Sequence, residues 1–153
     1  MLVELNTAEV QIATIVGIQR QIEDIKWENH GKYKAERHLA WQRHIEGALA
    51  ECALAKFLNV YWSKGKHDQP DVGKVDVRTT HHEHGKLTLH KEDIDDRKYY
   101  LLTGLNGKYM IRGWLLGKAG KQEKFWSDPT GKDRWAYFVP QEFLNKVDEL
   151  DGG

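Results

Sequence analysis

The chain has 153 residues, which is enough for one compact domain and too few for two ordinary ones. Basic and acidic residues number 23 each, so the net charge of zero excludes a strongly basic nucleic-acid binder and requires any DNA contact to be local. The single cysteine, Cys52, excludes an internal disulfide and a zinc site built from several cysteines. There is no signal-peptide pattern at the first residues and no stretch of roughly 20 apolar residues that would span a bilayer. We therefore expect a single domain over residues 1–153 that is soluble, cytoplasmic and free of membrane contact.

Two helices are predicted in the first part of the chain. Apolar residues recur at helical spacing over residues 7–26, with Asn6 or Thr7 available as the N-cap. A polar connection over residues 27–32 then leads to a second predicted helix over residues 33–58, which is rich in alanine and leucine in its later half.

The remainder of the chain predicts a sheet. Strands are expected over residues 75–80, 86–90, 99–105, 109–116 and 134–139. The Asn106-Gly107 pair predicts a tight hairpin, and Pro140 predicts the start of a short closing helix over residues 141–150. Residues 117–124 and the tail 148–153 are predicted to be flexible. Helices followed by strands predict an α/β or α+β fold, with a central mixed sheet flanked by helices.

A buried carboxylate is predicted in the second helix. The neighbours of Glu51 at three and four positions on either side are all small or apolar, namely Gly47, Ala48, Leu54 and Ala55. Burial of an unpaired carboxylate costs several kcal/mol, so Glu51 needs a cation, an arginine or lysine, or hydrogen-bond donors. A structural arginine or backbone amides would satisfy it as well as a metal ion.

Two further carboxylates follow in the segment from Pro70 to Thr80. Asp76 and Arg78 are two residues apart on the predicted strand and share one face, while the valines between and beside them share the other. Asp71 lies an odd number of residues before Asp76, so a turn or bulge at Gly73 is needed to bring it to the same face. A surface strand with solvated charges is the alternative interpretation.

These residues resemble the motif of the PD-(D/E)xK nuclease superfamily, which has the restriction-endonuclease-like fold. The helical glutamate is Glu51, the Pro-Asp pair is Pro70-Asp71, and Asp76-Val77-Arg78 stands where the family has Asp/Glu-x-Lys. Further short runs make most of the chain similar to small bacteriophage proteins: Gly47 to Glu51, Pro70 to Gly73, Val77-Arg78, Gly113-Trp114 and Val139-Pro140. The resemblance implies a nuclease-like core over about residues 33–140.

The resemblance also implies a metal-dependent cleavage of DNA. Asp71 and Asp76 would bind Mg²⁺ or Mn²⁺ directly, the backbone carbonyl of Val77 would be a further ligand, and Glu51 would bind directly or through water. The metal would activate a water for attack on the phosphodiester. Arg78 replaces the catalytic lysine; it supplies charge and positioning but cannot act as a base at ordinary pH.

Other polar residues could support such a site. Lys74 and Lys56 are alternative sources of the missing lysine. Five lysines are predicted to contact DNA phosphates, namely Lys64, Lys66, Lys74, Lys118 and Lys121. Trp126 and Trp135 either stack on bases or belong to the core.

A run of polar residues follows the motif. His81, His82, His84 and His90 cluster there. His82, His84 and His90 have even separations, so they could share a hairpin face and bind a transition metal, although a polar loop is the favoured interpretation. Asp93 lies in a charged turn that lacks the glycine and glutamate of a calcium loop, and it could reach the site.

Three functions are therefore open from the sequence. The leading one is a phage-encoded, metal-dependent DNA nuclease that works in the bacterial cytoplasm. The second is a catalytically inactive nuclease-fold protein that binds DNA or a partner protein, which the Arg78 replacement favours. The third is a metal-free accessory or inhibitor protein in which Glu51 pairs with Arg78. A homodimer is left open in each case.

Overall fold

A computed structural model describes residues 1–27, 34–64 and 69–148. Its helices are α1 (Thr7–Lys26), α2 (Ala40–Leu58) and the single turn α3 (Gly117–Gly120). Its strands are β1 (Leu2–Glu4), β2 (Asp76–Thr80), β3 (Leu87–Leu89), β4 (Lys98–Leu105), β5 (Lys108–Leu116), β6 (Trp126–Ser127) and β7 (Ala136–Val139). The fold is therefore α+β, as predicted. Within the described residues, none of the helices combines the length and the apolar character needed to cross a bilayer.

The strands form two sheets. The first has the order β1-β5-β4-β2 and is mixed, because β2 is parallel to β4 while the other pairs are antiparallel. The second is antiparallel, with the order β3-β7-β6. Alternate residues of β4 separate the two cores: Tyr100 and Leu102 face α1 and α2, whereas Tyr99 and Leu101 face the second sheet. The first sheet is thus covered by helices on one side and by the second sheet on the other.

The predicted hairpin between β4 and β5 is confirmed. Asn106 and Gly107 both have positive φ, 57° and 89°, as expected for the favoured two-residue hairpin turn. The pairing then shifts, because Leu101 pairs with Gly113 but Leu102 pairs with Ile111. The extra residue lies in β5 and forms a β-bulge. Because side chains alternate along a strand, the bulge reverses the alternation, and the β5 side chains that face the helices are shifted by one position beyond it.

Helix α1 begins and ends where the sequence predicts. Asn6 caps it by accepting a hydrogen bond from the Glu9 backbone N–H at 2.9 Å, and the Glu9 side chain accepts from the Asn6 N–H at 2.7 Å. The side that α1 buries consists of Ala13, Val16, Gly17 and Gln21, two of which are small. The isoleucines that mark the helix in the sequence lie largely on the opposite, exposed side.

Helix α2 starts later than predicted. Residue 33 lies outside the described residues, and Lys34–Leu39 form a 3₁₀ segment interrupted at Glu36, whose φ of −124° is not helical. The α-helix therefore begins at Ala40. Its predicted end at Leu58 is confirmed, where Asn59 adopts a left-handed conformation that ends the helix.

The predicted closing helix over residues 141–150 is wrong. Only Gln141–Phe143 form a short 3₁₀ turn, after which Asn145 pairs with Trp114 through two backbone hydrogen bonds of 2.9 and 3.0 Å. This long-range pairing holds the segment extended. Residues 149–153 of the predicted flexible tail lie outside the described residues.

The prediction of a flexible segment at residues 117–124 is also wrong, because α3 and a 3₁₀ turn occupy it. The Gly117 N–H donates to the Arg97 carbonyl at 3.0 Å, and a Cβ at Gly120 would lie 2.3 Å from Leu89 Cδ1. Glycine here permits close packing. The short strands β1 and β6 were not predicted from the sequence.

Two glycines test the packing of α1 on α2. A Cβ at Gly17 would lie 2.5 Å from Ile45 Cα, whereas one at Gly47 of α2 would meet nothing within 4 Å. We expect Gly17→Ala to destabilise the protein by about 1–3 kcal/mol. Gly47→Ala is the matched control and should be neutral or stabilising by up to about 1 kcal/mol. Urea unfolding of both variants checks this; equal effects would contradict the close backbone approach.

Candidate functional site

A tight turn brings two of the predicted carboxylates together. Val72 and Val75 exchange backbone hydrogen bonds of 3.0 and 2.9 Å around Gly73, whose φ is 57°. As a result the Asp71 N–H donates to Asp76 Oδ1 at 3.1 Å, and Asp71 Oδ2 accepts from the Val77 N–H at 2.9 Å. The predicted turn at Gly73 is confirmed.

Both carboxylates line a cleft of about 910 Å³ between the helices and the loops before β2 and β4. Seven acidic residues line it: Glu23, Asp24, Glu51, Asp71, Asp76, Glu92 and Asp93. Four lysines or arginines share it: Arg20, Lys64, Arg78 and Arg97. Among the described residues, the lining of this cleft is therefore acidic even though the whole chain is neutral.

The prediction that Glu51 is buried is confirmed, since only 6% of the residue is exposed. An arginine satisfies its charge. Arg20 of α1 donates from Nη1 to Oε1 and from Nη2 to Oε2, both at 2.8 Å, and Trp62 Nε1 donates to Oε2 at 3.1 Å. This bidentate pair raises the pKa of Arg20. Of the alternatives open from the sequence, the structural arginine is the one realised in this structure.

Asp76 is held by a second arginine. Arg97 Nη1 donates to Asp76 Oδ2 at 3.1 Å. Neither Arg97 nor Arg20 was identified from the sequence. They lie 21 and 31 residues from their carboxylate partners, and no local pattern marks either one.

Arg78 forms the third pair, with Asp93. Arg78 Nη2 contacts both carboxylate oxygens of Asp93 at 3.0 and 3.1 Å, and its guanidinium lies 5.0 Å from the centre of the Tyr99 ring. Arg78 lines the cleft with the predicted carboxylates, as expected. The expectation that it pairs with Glu51 in a metal-free protein is wrong, because Arg20 takes that place.

Asp71 differs from the other two carboxylates. Within the part of the chain that the structure describes, no arginine or lysine forms an ion pair with it. Burial, together with the negative charges of Glu51 and Asp76, raises the pKa of Asp71 to about 6, although its hydrogen bond from Val77 acts in the opposite direction. Asp71 is thus the carboxylate that would gain most from an added positive charge.

The oxygen donors of the cleft suit Mg²⁺ or Mn²⁺ in kind. Their present orientation does not form a finished metal site. Among the described residues, no three His, Cys, Asp or Glu side chains are arranged to hold a metal ion. The Val77 carbonyl, a ligand implied by the motif, accepts from Arg78 Nη1 at 3.2 Å. Glu51 and Asp76 would have to turn from their arginines to share a cation.

The lysines predicted to contact DNA are dispersed. Lys64 lines the cleft, Lys74 is exposed at the turn before β2, and Lys66 lies outside the described residues. Lys56, considered as a substitute for the missing catalytic lysine, pairs instead with Glu9 at 2.8 Å.

The last two predicted lysines engage the loop between β3 and β4. Lys118 binds Asp96 at 2.8 Å. Lys121 binds the Asp95 carboxylate and the Asp93 carbonyl, both at 2.6 Å. Lys121 thereby fixes the backbone that presents Asp93 to Arg78.

A smaller pocket of about 240 Å³ adjoins the cleft, because Glu92 lines both. The rings of Trp126 and Trp135 stack there with centres 6.0 Å apart and planes at 21°. Lys91 Nζ lies 4.5 Å from the Trp126 ring centre. Trp135 is half exposed, so an aromatic surface with charges of both signs continues from the acidic cleft.

The histidines after β2 do not gather as metal ligands among the described residues. His81, His82 and His84 are exposed on the loop between β2 and β3, while His90 lies at the smaller pocket. This placement agrees with the polar-loop interpretation.

Comparisons of the chain with protein-family models, with curated proteins and with solved structures return no match. The relationship to PD-(D/E)xK nucleases therefore stays a prediction from the motif.

The raised pKa of Asp71 predicts a pH-dependent stability. Because the pKa of about 6 lies above the ordinary 3.8, the native protein binds this proton more tightly than the unfolded chain does. The contribution of protonated Asp71 to the free energy of unfolding is therefore lost as the pH rises through about 6. In metal-free buffer, we expect the stability of Asp71→Asn relative to wild type to increase by about 1–2 kcal/mol between pH 4 and 7. Urea unfolding across this range measures it, and parallel pH curves for the two proteins would contradict the assignment.

Proposed function

We propose that this chain is a metal-dependent DNA nuclease with a restriction-endonuclease-like core, encoded by a phage and active in the bacterial cytoplasm. The observation that supports it is the meeting of Glu51, Asp71 and Asp76, which are distant along the chain, in one acidic cleft. Mg²⁺ or Mn²⁺ would be the cofactor, since the donors are carboxylate oxygens. A bound divalent cation supplies an activated water at neutral pH.

The arginines of the cleft have a role in this proposal. Arg20 and Arg97 neutralise Glu51 and Asp76. Guanidinium groups bind phosphate oxygens as readily as carboxylates, so both can move to the substrate backbone. Arg78, fixed by Asp93, keeps a permanent positive charge where negative charge develops in phosphodiester hydrolysis.

DNA would reach the cleft along its basic edges. Lys64 lines the cleft and Lys74 is exposed at the turn before β2. The pocket with Trp126 and Trp135 offers rings on which an unpaired base can stack. Lys118 and Lys121 act indirectly in this proposal, by holding the loop that carries Asp93.

A second candidate function is a catalytically inactive protein of the same fold that binds DNA or a protein partner. The arginine pairs favour it, because Glu51 and Asp76 are already satisfied without a metal ion.

Plasmid cleavage separates the two functions. With Mg²⁺ or Mn²⁺, we expect wild-type protein to nick or linearise plasmid, and we expect EDTA to prevent it. Asp76→Ala should lower the rate by at least about 100-fold, because a metal ligand is lost. Glu4→Ala is the control, since this exposed carboxylate of β1 pairs with Lys108 and does not line the cleft. An intact plasmid that is nevertheless retarded in a gel would favour the inactive DNA binder. A plasmid that is neither cut nor retarded would exclude the nuclease and a DNA-binding role, and would leave a protein partner as the remaining form of the second candidate.

Metal binding without DNA gives an independent test. Because Arg97 competes with a cation for Asp76, we expect Arg97→Gln to tighten Mn²⁺ binding by about tenfold. Asp71→Asn should weaken it by a similar factor. Arg112→Gln is the control, because Arg112 contacts Thr103 and Glu83 outside the cleft. Isothermal titration calorimetry measures the affinities; equal affinities for Arg97→Gln and wild type would contradict competition at Asp76.

A further inference from the structure

Helix α1 presents an apolar face to solvent. Ile12, Ile15, Ile22 and Ile25 are 50%, 55%, 50% and 54% exposed, and Ile18 between them is partly exposed. Single exposed apolar residues are ordinary, but a continuous stripe on a monomer is uncommon and marks an interaction surface. We call these five isoleucines the α1 face.

The α1 face cannot be turned inward within the same chain. On the other side of the helix, Gly17 lies so close to Ile45 that an added Cβ would be 2.5 Å from its Cα. Arg20 is bound to the buried Glu51 through two hydrogen bonds. Rotation of α1 to bury the isoleucines would break both contacts.

We propose that a second copy of this chain covers the α1 face, with the two α1 helices antiparallel. Ile15, Ile18, Ile22 and Ile25 are spaced by three, four and three residues, which is the spacing of a helix–helix seam. This spacing is the same in both directions. A two-fold axis therefore places Ile15 opposite Ile25 of the second copy and Ile18 opposite Ile22, as a self-complementary interface requires.

The charges beside the seam favour the antiparallel arrangement. Glu23 and Lys26 are exposed along this side of α1. Parallel helices would place each opposite its own copy, with like charges in contact. In the antiparallel arrangement Lys26 lies opposite Thr14 and Glu23 opposite the level of Gly17, so no like charges meet.

The extent and composition of the α1 face also fit a second copy. With Ile15 opposite Ile25, the two helices overlap over residues 14–26, about 20 Å, and Trp27, 74% exposed, extends the apolar surface beyond the end of each helix. A contact of this length suits an interface at or below the standard size of about 800 Å² per partner. A membrane surface fits less well, because helices that lie on membranes are rich in lysine and arginine, whereas Glu23 and Lys26 are balanced.

Gln19 and Glu23 of α1 also line the cleft. Each of the two clefts in such a dimer would therefore adjoin the helix that forms the interface. The dimer does not depend on the proposed nuclease activity.

Variants of the whole chain that introduce opposite charges at the two ends of the seam test the proposal. Sedimentation equilibrium over concentrations up to about 100 μM measures their association. Wild type should be a dimer. Ile15→Lys and Ile25→Glu should each raise the dimer dissociation constant at least tenfold. An equimolar mixture of the two variants should restore the dimer, because an antiparallel pair then matches lysine with glutamate at one end and isoleucine with isoleucine at the other. Leu105→Lys, which changes a residue 42% exposed in the β4–β5 hairpin, is the control and should leave the dimer unchanged.

Circular dichroism should show unchanged folding in each variant, since the replaced side chains are exposed. A monomeric wild type, or variants that dimerise as wild type does, would overturn the proposal and leave the α1 face to another partner. Variants that are monomeric alone and remain so when mixed would overturn the antiparallel arrangement.

Discussion

The pairing of the buried Glu51 with Arg20 connects the cleft, the helix packing and the exposed surface of this protein. Loss of one partner from a buried ion pair costs roughly 3–5 kcal/mol, so α1 must keep Arg20 directed at α2. That orientation presses Gly17 against α2 and leaves the isoleucines outside. Four half-exposed isoleucines forgo roughly 3–5 kcal/mol of burial, an amount of the same size. A second copy on the α1 face would recover that burial without giving up the ion pair.

The arginines also explain how a cluster of carboxylates is accommodated in the folded chain. Arg20 and Arg97 neutralise Glu51 and Asp76, whereas burial and the neighbouring carboxylates raise the pKa of Asp71. Each guanidinium can bind either a carboxylate or a phosphate, so the same contacts are compatible with a nuclease at rest and with an inactive binding protein. What distinguishes the two is whether a cation can compete with an arginine for Asp76.

Local patterns predicted the candidate carboxylates because each has a local cause. Glu51 has apolar neighbours on its helix, and Gly73 permits the turn that carries Asp71 to Asp76. The arginine partners were missed because they come from distant elements. Periodicity likewise predicted α1 but not which side it buries. The buried side depends on the close approach of Gly17 to the backbone of α2. The closing helix failed for the same reason: the pairing of Asn145 with Trp114 is long-range and overrides local preference.

The arginine in the lysine position of the motif has a structural reason that is independent of catalysis. Along β2, Asp76 and Arg78 carry opposite charges two residues apart. The loop before β4 supplies the partner of each, Arg97 for Asp76 and Asp93 for Arg78. One loop therefore fixes both side chains. Arg78 Nη2 contacts both oxygens of Asp93, Nη1 donates to the Val77 carbonyl, and the guanidinium lies over the Tyr99 ring. A lysine ammonium cannot reproduce the stacking of a planar group on the ring. Because Asp93 also accepts from the His90 N–H, replacement of Arg78 by lysine would loosen the loop that holds Asp76 in place.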